Sequence, residues 1–203
     1  KAESMDSEGF EEKSFYECHL YTLPRKTDGL ANTTQQITLF PQAKGAKVEK
    51  VYVYVGLPDA RHWIARGSAQ REPSLGSESD SKIDVYLRFR NAKDNQLGMP
   101  LPKGKVRVYK RDTDGTLEFV GEDLIDHTPK DETVVVRTGQ AFDVVGERTR
   151  VDFKVASGRR TIVETVEVEL RNHKDTPVTV LVKETLFRWS TWEMTEKTHA
   201  FDK

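Results

Sequence analysis

KIDVYLRFRNAKD, from Lys82 to Asp94, carries the pattern on which the fold turns. Ile83, Val85, Leu87 and Phe89 alternate with Asp84, Tyr86, Arg88 and Arg90, so one face of an extended chain is apolar and the other polar. RNAKD closes the run at Arg90 to Asp94. Its letters return 81 positions later as RNHKD, Arg171 to Asp175, behind TVEVELR, where Val166, Val168 and Leu170 alternate with Glu167, Glu169 and Arg171. Each copy ends a strand on an asparagine, Asn91 or Asn172, with an aspartate three residues on, Asp94 or Asp175. Asparagine tolerates the left-handed backbone and aspartate bonds its own turn, so both copies suit a chain reversal between antiparallel strands. The repeat is read as folding grammar rather than as a duplicated ligand site.

The same alternation runs through KVEKVYVYV, GKVRVYKR, DETVVVR, RVDFKV and PVTVLVKE, and DTDGT (Asp112 to Thr116) sets a hairpin between two such runs. SFYECHLYTL, from Ser14, is the first candidate strand. The expected fold is all-β, an antiparallel β-sandwich of two related immunoglobulin-like units in tandem. TTQQITLF, KVEKVYVYV, KIDVYLRFRNAKD and GKVRVYKR fall in the same order as DETVVVR, RVDFKV, TVEVELRNHKD and PVTVLVKE. On that order the first unit covers 1–126, with a long loop at 56–82, and the second covers 127–203, with an aromatic C-terminal strand.

Composition limits function. Lysine plus arginine (32) and aspartate plus glutamate (33) nearly cancel and are interspersed, so no basic surplus marks a nucleic-acid binder. No apolar run reaches the ~18–20 residues of a membrane-spanning helix. A single cysteine rules out an intramolecular disulfide. Cys18 is expected as a small buried hydrophobe, on a face shared with Tyr16 and Leu20. The chain begins at Lys1 rather than methionine, which fits a processed or truncated polypeptide.

Two segments leave the alternating pattern. In the loop 56–82, Trp63 and Ile64 are expected to anchor the first part, and SAQREPSLGSESDS to be mobile. In LFRWSTWEM, Trp189 and Trp192 are three apart and so face opposite ways on a strand, which favours packing; with Trp63 they are the candidates for an alternative, carbohydrate-stacking role. Chemistry-bearing motifs are scarce: there is no phosphate-cradling glycine loop, CxxC, HExxH or GxSxG. The densest polar constellation is GEDLIDHTPKDET, with Glu122, Asp123, Asp126, His127, Asp131 and Glu132. It is read as a structural connector, with a hydrolase acid pair in 122–132 as a further alternative. No catalytic residue, metal or cofactor is expected; Asp123, Asp126 and Asp131 are the oxygen ligands best placed should calcium bind.

GEDLIDHTPKDETVVVRTGQAFDVVGERTR, FEEKSFYECHLYTLPRKTDGLANTTQQITLF, PLPKGKVRVYKRD, ELRNHKDTPVTVLVKE and RWSTWEM together resemble a bacterial domain-of-unknown-function family. That domain forms the C-terminal part of secreted or envelope proteins, among them relatives of a mucoidy inhibitor. The resemblance runs from about Phe10 to Phe201, and Gly67 to Ser81 is the stretch least like the family. It implies a β-rich, exported protein, periplasmic or extracellular, that is a piece of a longer chain, and it carries over no catalytic residues. The expected function is a non-enzymatic structural or interaction module. Its partner is expected to be a protein or a second copy, met through the terminal segments, where an open strand edge offers backbone groups.

Overall fold

The computed structural model describes residues 11–16, 18–22, 31–34, 36–38, 40, 42–64, 68–156, 158 and 160–202, with backbone only at 11, 12, 14, 15, 18 and 61. Period-two sequence became strand. The elements are β1 (Glu11–Phe15), β2 (Cys18–Thr22), β3 (Glu49–Tyr54), the short helix α1 (Ala60–Ile64), β4 (Ile83–Arg90), β5 (Gly104–Arg111), β6 (Leu117–Ile125), β7 (Thr133–Gln140), β8 (Val144–Ala156), β9 (Thr161–Asn172) and β10 (Val180–Val182). Strand outweighs helix 44% to 4%, so the fold is all-β and sandwich-like. No helix among the described residues is long and apolar enough to cross a membrane.

β1–β2, β5–β6 and β8–β9 are two-stranded antiparallel ribbons, and a four-stranded sheet has the order β10–β3–β4–β7. One pair departs from the antiparallel expectation: β10 runs parallel to β3, with Val180 beside Tyr52 and Val182 beside Tyr54. A parallel pair needs a crossover of a dozen residues or more, and the long chain between these strands supplies it. DTDGT does close β5 onto β6. Asp112 N–H donates to Thr116 O at 2.9 Å, and Gly115 takes the left-handed conformation at φ +90°.

Packing divides the chain differently from the order of its motifs, which places a boundary after Asp126. One compact unit is Lys1–Glu49 with Leu87–Val136; the other is Lys50–Tyr86 with Arg137–Lys203. Strand contacts join residues far apart in sequence, so a unit need not be a continuous segment. In the second unit the β8–β9 ribbon covers the face of β3 and β4, with Tyr52, Tyr54, Ile83 and Val144 buried against Val85, Val168 and Val180. Gly146 permits this close approach, since a Cβ there would run into the Tyr54 ring. Tyr54 donates its hydroxyl to Asp80 O at 2.7 Å, and burial raises its phenol pKa.

Three local expectations are corrected. SFYECHLYTL is not one strand: the chain turns at Tyr16 (φ 55°) between β1 and β2, so Tyr16 and Leu20 are exposed rather than buried. The Cys18 side chain lies outside the described residues. LFRWSTWEM is no strand either. Arg188 O accepts the N–H of Gln70 at 2.8 Å, and its guanidinium donates to Gln70 O, Glu72 O and Leu75 O, so the segment docks on the long loop instead of a strand edge. The loop itself is tied down rather than loose. Arg148 reaches Gly76 O at 2.9 Å and Arg150 reaches Leu75 O at 3.0 Å. Trp63 anchors its first part on Phe187, in a cluster with Leu57, Ala60 and Leu75, whereas Ile64 is exposed. The described residues of TTQQITLF form no strand.

Candidate functional site

Within the first unit the RNAKD corner is the most elaborately built surface. β4 ends at Arg90, and the chain then folds into a single 3-10 turn, Lys93–Asn95, closed by Gln96 in the left-handed region at φ 59°. Asn91 is fully buried. Its carboxamide donates to Met99 O at 2.7 Å and Pro129 O at 3.0 Å and accepts Gly98 N–H at 3.0 Å. Its backbone N–H donates to Glu132 O and its carbonyl accepts Asp131 N–H. Asn95 performs the same service for Lys47 and Arg90: its amide donates to Lys47 O and Arg90 O, and its Oδ1 accepts Lys47 N–H at 2.6 Å. Two buried amides thus fasten three distant segments with every hydrogen-bonding side-chain atom used, as burial requires. Asp94, expected to bond its own turn, makes no such bond among the described residues; the asparagines do that work.

An open cavity of about 370 Å³ sits over this corner, lined by Arg90, Lys93, Asp94, Gly98, Lys130 and Asp131. A shallower groove of about 530 Å³ shares Arg90 and Asp94 and continues to Lys47, Arg88 and Thr133. In that groove Arg88 is paired with Glu49 at 2.8 Å. Among the described residues, Arg90, Lys93 and Lys130 hold no carboxylate. Such a surface can bind and orient a polar ligand.

Comparison with known protein families, curated proteins and solved structures gives no match.

The tryptophans named from the sequence sit in different settings. Trp63 lies on α1 and packs edge-on to Phe187, ring centroids 4.6 Å apart. Trp189 is 46% exposed, and Trp192 leans on Phe201 at 6.4 Å with the rings tilted by 49°. The acids of 122–132 are spread out. Glu122 takes hydrogen bonds from Lys105 and Arg107, which lower its pKa. Asp126 pairs with Lys103 at 3.1 Å, while Asp131 lines the corner cavity. A general acid needs its carboxyl pKa raised; the shift at Glu122 is in the opposite direction. No group of three metal-ligating side chains occurs among the described residues.

Sequence reasoning passed over the buried arginines. Arg148 bonds Glu184 through both Nε and Nη2, and Arg188 bonds Glu164 while its guanidinium stacks between Phe153 and Phe187. A signal was present: Val144, Gly146, Arg148 and Arg150 fall on one alternating face, which places both arginines on the covered side of β8.

Proposed function

We propose that this protein is a non-enzymatic β-sandwich module that works through macromolecular contact, in the envelope or exterior of a bacterium. The observation that carries this reading is the β5–β6 ribbon. It pairs with no further strand among the described residues, leaving the outer edges of both strands open. Lys105, Arg107, Tyr109 and Arg111 oppose Leu124, Glu122, Phe119 and Leu117, so these eight share one face, and all are exposed. At its tip Tyr109 and Phe119 meet edge to face at 5.6 Å, 51% and 55% exposed. Aromatic residues ringed by arginine are the usual anchors of an interface. The β1–β2 hairpin, likewise two-stranded among the described residues, supports the terminal segments as a second place of self-association. Envelope location rests on the family resemblance.

The test uses the full-length gene product in its own host, with a photo-crosslinking residue at Tyr109 or Phe119 and, as control, at Leu170, exposed on β9. Crosslinks of discrete mass from the hairpin positions alone, in the periplasmic, membrane or culture fraction, are expected. A cytosolic protein, or crosslinks no different from those at Leu170, would overturn the reading.

A further inference from the structure

Several cations at the surface of this protein are paired with carboxylates. Lys105 and Arg107 share Glu122, Arg137 holds Asp84, Arg171 holds Glu147, Lys154 holds Asp152, and Lys174 holds Asp143. The corner cavity gathers cations that are not so paired. Three cations and two carboxylates line it, yet among the described residues Arg90, Lys93 and Lys130 form no ion pair. The frame beneath them is rigid. Gly98 adopts φ +98°, and a Cβ there would meet Lys93 Cγ and N at 2.8 Å. Asp131 is held at φ 67° by its N–H bond to Asn91 O, 2.7 Å long. A non-glycine residue kept in the left-handed region marks a conformation imposed by its surroundings. Asn91 is the link that brings Lys130 and Asp131 to Arg90 and Lys93, since it bonds Pro129, Asp131 and Glu132 at once.

We propose that this corner binds an oxyanion, a phosphate or sulfate, carried on a polyhydroxylated body such as a sugar. The guanidinium of Arg90 offers paired N–H donors to two oxygens of one group, and the ammonium groups of Lys93 and Lys130 add charge without fixed direction. A bare oxyanion would be opposed by Asp94 and Asp131. A ligand with hydroxyl groups turns those carboxylates into acceptors, because an ionised carboxylate accepts hydrogen bonds and donates none. The volume falls within the ~300–1,000 Å³ of small-ligand sites. The openness of the corner makes the binding modest and sensitive to salt.

Calorimetric titration of the intact chain at low ionic strength tests this, with glucose 6-phosphate, glucose 6-sulfate, inorganic phosphate and glucose as probes. At least one of the two esters is expected to bind saturably and more tightly than inorganic phosphate, and glucose not at all; the preferred ester identifies the oxyanion. Arg90→Ala and Lys130→Ala should each weaken that binding about tenfold, the loss of one charge-assisted hydrogen bond. Lys110→Ala, a cation on β5, should leave it unchanged. Asp94→Asn should narrow the preference for the ester over inorganic phosphate. Circular dichroism and melting verify that each variant is folded. Absence of saturable binding by either ester, glucose binding as well as its esters, or affinity indifferent to Arg90→Ala and Lys130→Ala in folded protein would each overturn the proposal.

Discussion

RNAKD and RNHKD differ by one letter and do different work. In the first copy Asn91 is buried beneath a corner and ties it to Met99, Gly98 and Pro129. In the second, Asn172 is exposed; it donates to Thr176 O at 2.9 Å and accepts the N–H of Lys174 at 3.1 Å, closing only its own turn. The lysines diverge as well. Lys174 is bound by Asp143, which raises its pKa, whereas Lys93 faces the corner cavity. The lesson is energetic. A polar side chain in water exchanges one set of hydrogen bonds for another, while a buried one leaves its partners stranded when removed. The two copies share the job of ending a strand; only the first became a cornerstone.

Asn91→Ala should therefore be the most damaging change. It strands the carbonyls of Met99 and Pro129 and the N–H of Gly98, groups on partly exposed residues, so the lower part of the ~1–3 kcal/mol range applies to each and a loss of about 3–5 kcal/mol is expected. Urea denaturation followed by circular dichroism checks it, and a loss below about 1 kcal/mol would erase the contrast between the copies.

Arg188→Ala probes how the second unit solves the corresponding problem, with guanidinium groups in place of amides. Removing it leaves Glu164 without its closest partner and Gln70 O without its donor, and it takes one of two donors from each of the Glu72 and Leu75 carbonyls, which keep Leu75 N–H and Arg150. About 3 kcal/mol is expected, at the lower end for breaking a buried pair because Arg150 still stands 3.9 Å from Glu164. Limited proteolysis should then cut within 68–80 well before the remainder of the chain. Unchanged protease resistance there would show that the arginine does not hold the loop.

The smallest effect is expected at Asn172→Ala, under about 1 kcal/mol, because water replaces the bonds that an exposed turn loses. The same urea experiment reads it. A loss matching that of Asn91→Ala would mean that the second copy is as structural as the first.

Strand positions were legible because their cause is local. GKVRVYKR became β5 with no residue displaced, and DTDGT supplied the glycine that its turn requires. Segments whose fate hangs on a partner were not legible. LFRWSTWEM has the composition of a strand, but Arg188 spends its hydrogen-bonding groups on loop carbonyls. SFYECHLYTL breaks at Tyr16, a residue that carries no turn signal. The corner was half legible: the repeat drew attention to Asn91, Lys93 and Asp94, while Lys130 and Asp131 belonged to a stretch read as a connector.

What the sequence determined by itself is the alternation, and with it an all-β chain whose strands each have a face to bury. A two-residue period is written in the order of side chains and needs no partner to be recognised. Tertiary structure alone decided which strands meet, including the parallel pairing of β10 with β3. It also decided which asparagine is buried. Asn91 and Asn95 acquire their roles through groups as far away as Pro129 and Lys47, separations of 38 and 48 residues. Burial is a property of the whole fold, and the value of a hydrogen bond depends on burial, so two nearly identical pentapeptides came to differ in what they support.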